Sequence, residues 1–155
     1  MNLDRSNSLL RRLGDSLRSP LLLAIRLYWG IQFFHTGLGK FMHLSQTAEY
    51  FASLHIPLPH ANAVAAASVE LVCGLLLALG LWSRPACLPL IGTMCVAYAT
   101  AERDALNALW TNPDTFTAAT PFLFLLATVI VFVFGPGNWS LDHAREHFYA
   151  RGKQT

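Results

Sequence analysis

Apolar positions along the chain fall into four long blocks, at about 21–41, 61–82, 85–101 and 117–134, and the short segments between them hold nearly all the charge. A helix needs roughly 20 apolar residues to cross a bilayer core. The blocks are continuously apolar and do not alternate, which excludes a β-barrel and predicts helices. Tight connections make neighbouring helices antiparallel. Ser83-Arg84-Pro85 is a sharp reversal, with Pro85 suited to a first helical turn where its missing N–H costs nothing. Gly135-Pro136-Gly137 stops the fourth block. The predicted fold is therefore all-α: a polytopic membrane protein, an antiparallel bundle of four transmembrane helices.

The flanks read differently. Residues 1–19 are polar and basic, with Leu9, Leu10, Leu13 and Leu17 on one helical face, which predicts a short N-terminal interfacial helix on the membrane rather than a cleaved signal. Residues 20–142 form the membrane domain, and 143–155 a polar, amphipathic tail.

Composition sharpens the class. Of 155 residues, 54% are hydrophobic and 13% charged, and the mean hydropathy is +0.40. A soluble domain is roughly a quarter charged. Little chain remains for a soluble catalytic domain, and a net charge of +2 gives no footprint for nucleic acid. Cys73, Cys87 and Cys95 all lie in apolar blocks without a C-x-x-C pair, so they read as packing residues. Lysine and arginine counting sets the orientation. Arg5, Arg11, Arg12, Arg18, Arg84, Arg145, Arg151 and Lys153 fall on one side, and only Lys40 and Arg103 on the other. The first side, with both termini, is expected to be cytoplasmic.

Polar residues within the blocks are the candidate chemistry. A charge at helix depth costs roughly 2.5–3.5 kcal/mol on insertion scales, so Arg26 and Glu70 need a reason to be there. Depth counting from the block ends separates them by roughly 8–10 Å, which suggests an Arg26–Glu70 polar core, either a register-fixing pair or a ligand or proton site. On the first helix Arg26, Gly30, Phe33, Gly37 and Lys40 share a face, and Tyr28, Gln32, His35 and Gly39 lie opposite. Polar groups on both faces suggest a central helix with neighbours on two sides. Ala66, Glu70, Gly74 and Ala78 repeat every four residues, a small-residue packing face with an acid in it. The candidate ligand or proton site is therefore Arg26, Gln32, His35, Lys40 and Glu70. His43, His55 and His60 with Glu49 do not have recognised metal-ligand spacing, and no metal site is assigned. Phosphate-loop, nucleophile-elbow and paired-histidine haem patterns are absent from the chain, so no cofactor is identified in it.

Five stretches, taken in order, resemble the DoxX family of small bacterial membrane proteins. They are Arg26-Leu27 with Gly30; Gly37-Leu38-Gly39-Lys40-Phe41; Glu70-Leu71-Val72-Cys73-Gly74; Gly80-Leu81-Trp82-Ser83-Arg84; and Gly135-Pro136-Gly137 with Ser140-Leu141-Asp142. Cys73 stands where the family often has a glycine. The resemblance implies a four-helix protein of the bacterial inner membrane, similar to the DoxD-type subunit of thiosulfate:quinone oxidoreductase. It implies a membrane subunit or partner of a redox system linked to the quinone pool. A quinone site beside the first helix would use Glu70 and His35 to orient the ring, with Tyr28 and Arg26 as further polar groups and Phe33, Phe34 and Leu71 as apolar walls. Electrons would come from a soluble or membrane redox partner. The alternative is a non-enzymatic scaffold or a small-solute transporter, with Arg26 and Lys40 holding an anion and Glu70 gating it.

Overall fold

A computed structural model describes residues 3–152, with side chains described at 8 and 10–148. The side chains of Arg5, Leu9 and Arg151, and all of Lys153, lie outside the described residues. The described chain is entirely helical: α1 (Leu3–Met42), α2 (Leu44–Ser53), α3 (Pro59–Leu79), α4 (Ser83–Thr100), α5 (Arg103–Asn107), α6 (Pro113–Ala118), α7 (Pro121–Phe134) and α8 (Leu141–Gly152).

Proline punctuates this order. Helices α3, α6 and α7 each begin on a proline, where a missing N–H leaves no bond unmade. The fourth apolar block therefore starts at Pro121, because Ala119 turns extended and ends α6. At its N-terminal end the chain departs from expectation. The interfacial segment is not a separate helix, because α1 runs through Ser19-Pro20 without a break. The segment between the first two blocks is not mere loop either: α2 packs along α3.

Helices α1, α3, α4 and α7 pack antiparallel around one core of Phe33, Leu77, Cys87, Leu90, Met94 and Val131. Phe124 makes edge-to-face contacts with Trp29 and Phe33 at 4.8 and 4.7 Å between ring centres. The cysteines are free: Cys87 lies in this core, Cys73 flanks it, and Cys95 is exposed.

Helices α1 and α3 meet backbone to backbone. A Cβ on Gly37 would lie 2.5 Å from the Leu71 nitrogen, and one on Gly74 would lie 2.8 Å from the Phe34 nitrogen. Gly30 meets the Gly74 carbonyl and the Ala78 backbone in the same way. Only glycine admits such backbone contact.

The exterior is apolar. Leu27, Ile31 and Leu38 on α1, Val72, Leu75 and Leu79 on α3, and Leu123, Leu126, Val129 and Val133 on α7 are exposed. Among the described residues only α3 is by itself long and apolar enough to cross a membrane, and just 33% of its apolar stretch is buried within the protein. A core helix of a soluble protein would be covered. The other three helices fall short for particular reasons. Arg26, Gln32 and His35 dilute α1, Ser83-Arg84-Pro85 opens α4, and α7 has 14 residues, about 21 Å of rise.

Crowding on α1 gives a sharp contrast. Gly37→Val forces backbone apart and should destabilise the purified protein by about 1–3 kcal/mol. Gly39→Val, where a Cβ meets nothing within 4 Å, should leave the thermal midpoint within error. Equal melting of the two variants would refute the close α1–α3 approach.

Candidate functional site

The glycine contacts set the register of α1 against α3, and the register assigns the charges. With Gly30 between Gly74 and Ala78, and Gly37 between Ala67 and Leu71, Arg26 lies level with Gly80. Lys40 lies near Ala66, one turn from Glu70. Arg26 and Glu70 are then about ten residues, or roughly 15 Å, apart along the helices. The expected Arg26–Glu70 pair does not form. Counting depth from block ends misplaced both residues, since the ends of α1 and α3 are not level.

Glu70 pairs instead with Lys40, whose Nζ donates to Glu70 Oε2. The carboxylate is nearly sealed, with 4% of its side chain exposed, whereas Lys40 keeps 28%. The pair sits on the wall of a cleft of about 590 Å³ among α1, α2, α3, α4 and the start of α7. Phe33, Phe51, Val69, Met94 and Phe124 line its apolar sides. The Thr36 and Thr93 hydroxyls also line it but donate to the carbonyls of Phe33 and Leu90 on their own helices. The Thr100 hydroxyl and the Asn62 amide are likewise tied to the Val96 and Pro57 carbonyls, so the polar side chains turned to the cleft are chiefly the ion pair, Tyr50, Glu102 and Thr120.

The other expected site residues disperse. His35 is exposed on the far side of α1 with Tyr28, and Gln32 is half-buried; none of the three lines the cleft. Gly39 on the same face touches nothing, so α1 is packed on one side and open on the other. Of the expected walls, Phe33 lines the cleft, and Phe34 and Leu71 do not. Arg26 and Lys40 cannot hold one anion, being 14 positions, about 21 Å, apart on α1. His43 Nδ1 lies 3.1 Å from the Gly39 carbonyl, and no three metal-ligating side chains converge among the described residues.

Arg26 organises the opposite end of the bundle. It is fully buried and donates through Nη2 to the Trp139 carbonyl at 2.7 Å. Its other guanidinium nitrogens meet no hydrogen-bond partner among the described residues, and Asp142 supplies the countercharge. Gly80, at φ +68°, lies directly against the guanidinium, and a Cβ there would overlap Nη1. Asp142 also caps α4 from a distance of 59 residues in sequence. Its oxygens accept from the Trp82 nitrogen at 2.8 Å, the Ser83 nitrogen at 3.0 Å and the Ser83 hydroxyl at 3.2 Å. Its own N–H donates to the Gly80 carbonyl at 2.9 Å. An anion at a helix N-terminus satisfies orphan N–H groups and complements the dipole. Here it also holds Trp82 in a left-handed conformation, φ +48°, that a bulky side chain rarely adopts.

Asp142 and Ser83 are therefore site residues that charge and depth arguments missed. Their only signal was membership in two motifs, Gly80–Arg84 and Ser140–Asp142, that the fold brings together. Gly80→Ala meets both the positive φ and the guanidinium, so it should abolish accumulation. Gly92→Ala, with open space around it, should accumulate like the parent on immunoblots of membranes. Normal accumulation of Gly80→Ala would rule out this packing of Arg26.

Comparisons with known proteins place the chain in a family. The DoxX family profile matches residues 21–103. An uncharacterized membrane protein of Mycobacterium tuberculosis, Rv3486, is 33% identical across 79% of this chain and 80% of its own length. The inner membrane protein YphA of Escherichia coli is 32% identical across 81% of this chain and 90% of its own. No solved structure matches the chain. With its apolar exterior, its glycine-mediated α1–α3 contact and these relatives, the chain is a membrane protein and belongs to the DoxX family.

Proposed function

We propose that this protein crosses the bacterial plasma membrane four times, with α1, α3, α4 and α7, and that its cleft binds a quinone on behalf of a redox partner. Both termini lie on the cytoplasmic side in this reading. The count of lysines and arginines supports it, with eight on that side against Lys40 and Arg103 on the other.

The observation that carries the quinone reading is the Lys40–Glu70 pair on the wall of a largely apolar cleft. Ligand pockets of roughly 300–1,000 Å³ with apolar walls and a few convergent polar groups suit a ring with carbonyl oxygens. An ammonium has three N–H donors, and the pair uses one. Lys40 is then free to donate to a carbonyl oxygen, and Glu70 holds the ammonium in place. Phe33, Phe124 and Met94 supply faces for the ring. A quinone when bound supplies the two-electron chemistry; its electrons come from a partner oxidoreductase, and the residues of this chain bind and orient it.

A photoreactive quinone added to membranes should label peptides of α1, α3 and α4 that line the cleft, with Met94 among the labelled positions. Ala97→Trp, which fills the cleft from the α4 side, should cut that labelling at least five-fold while leaving the thermal midpoint near the parent's. Labelling confined to the exposed faces of α7, or indifferent to Ala97→Trp, contradicts a cleft ligand of this kind.

A further inference from the structure

A second cavity, of about 780 Å³, lies at the Trp82 end of the bundle, away from the cleft. It is bounded by Asp15, Arg18 and Ser19 of α1, the turn at Trp82–Pro85, the 134–138 segment that ends α7, and the first turns of α8. Two of its guanidinium groups are tethered. Arg18 donates to the Phe134 carbonyl at 2.8 Å and Arg84 to the Phe132 carbonyl at 3.2 Å, so each covers an orphan carbonyl at the α7 C-terminus. Each of these bonds uses one of five guanidinium N–H donors. Arg145 is the third cation on the wall.

Three carboxylates, Asp15, Asp142 and Glu146, face the same space. Asp142 is committed to Trp82 and Ser83. Asp15 and Glu146 are exposed and border the cavity with the arginines. A simple anion would meet as many carboxylates as guanidinium groups and gain little. A ligand with a phosphodiester and a primary ammonium meets both.

The surroundings indicate where such a ligand comes from. Trp82 and Trp139, 58% and 63% exposed, stand at this end of the bundle, as tryptophans do at the headgroup level of a bilayer. Phe134, which lines the cavity, and Leu21, three residues into the membrane from Arg18, are exposed and present apolar surface for acyl chains.

We propose that this cavity is a binding site for the headgroup of a phospholipid carrying a primary ammonium, of the phosphatidylethanolamine type. Arg18 and Arg84 take the phosphodiester, with the fork geometry that guanidinium groups offer to phosphate. Asp15 and Glu146 accept from the ammonium, which has three N–H donors where a quaternary choline has none. The lipid then closes α1, the α3–α4 turn and α8 around the end of α7. This site is independent of the quinone reading.

Native mass spectrometry of the delipidated full-length protein in detergent tests the proposal. Dioleoyl phosphatidylethanolamine should bind at least five-fold tighter than the phosphatidylglycerol or phosphatidylcholine of the same chains. Arg18→Gln/Arg84→Gln should weaken it at least five-fold. Because those arginines also hold α7, Asp15→Asn/Glu146→Gln provides the second arm: its thermal midpoint should stay at the parent's while the preference over phosphatidylcholine disappears. Soluble phosphoethanolamine should bind at least ten-fold weaker than the lipid. Equal binding of the three lipids, or tighter binding of phosphatidylglycerol, would overturn the site. Retained preference in Asp15→Asn/Glu146→Gln would overturn the carboxylate roles. Phosphoethanolamine binding as tightly as the lipid would overturn the lipid source.

Discussion

The backbone-to-backbone contact of α1 with α3 sets the position of nearly every charged group inside the bundle. In a lipid environment two helices gain little from hiding leucine from each other, because the acyl chains are as apolar as the side chains. Close packing has to supply the attraction, and Gly30, Gly37 and Gly74 allow it. The same contact leaves no freedom of register, since a shift by one turn would drive Ala78 or Leu71 backbone into side chains.

Register then separates two polar centres that the helix would otherwise leave ambiguous. Arg26 comes level with Gly80, where it is shut in by the α3–α4 turn and the segment around Trp139. Lys40 comes within reach of Glu70 and faces the cleft. One end of the bundle is locked: a buried arginine, a glycine that cannot be replaced, and an aspartate that caps α4 across the fold. The other end holds the cleft, with α2 and the start of α7 beside it and mostly apolar side chains on its walls. This division of a tied end and an open cleft fits the ligand-binding role proposed for the cleft.

Much of this was legible in the chain. The four apolar blocks become the part of α1 beyond Pro20, α3, α4 and α7, with the remaining ends within a few residues, and the face carrying Arg26, Gly30, Phe33, Gly37 and Lys40 is the packed face of α1. The repeat of Ala66, Glu70, Gly74 and Ala78 likewise marks the α3 surface turned inward. Helical periodicity carries such information because it depends only on neighbours in sequence. Partners across helices do not. Arg26 and Glu70 look paired when depth is measured from block ends, and His35 looks interior because a histidine in an apolar block demands a reason. Both readings fail on register and rotation, which rest on glycine contacts between distant segments. Asp142 was hidden for the same reason: an acid just past a Gly-Pro-Gly stop shows no partner until the fold lays it on the α4 N-terminus. The helical continuity of α1 through Pro20 was hidden because the change from basic to apolar residues looks like a boundary.

The register is the central claim, and a pair of double-mutant cycles measures it most directly. Unfolding free energies of the purified protein would be determined for Lys40→Met, Arg26→Gln and Glu70→Gln, and for the two doubles that share Glu70→Gln. The structure requires a coupling of about 1–3 kcal/mol between Lys40 and Glu70, and additivity within roughly 0.5 kcal/mol between Arg26 and Glu70. Coupling between Arg26 and Glu70 with additivity between Lys40 and Glu70 would contradict the register and every assignment that rests on it.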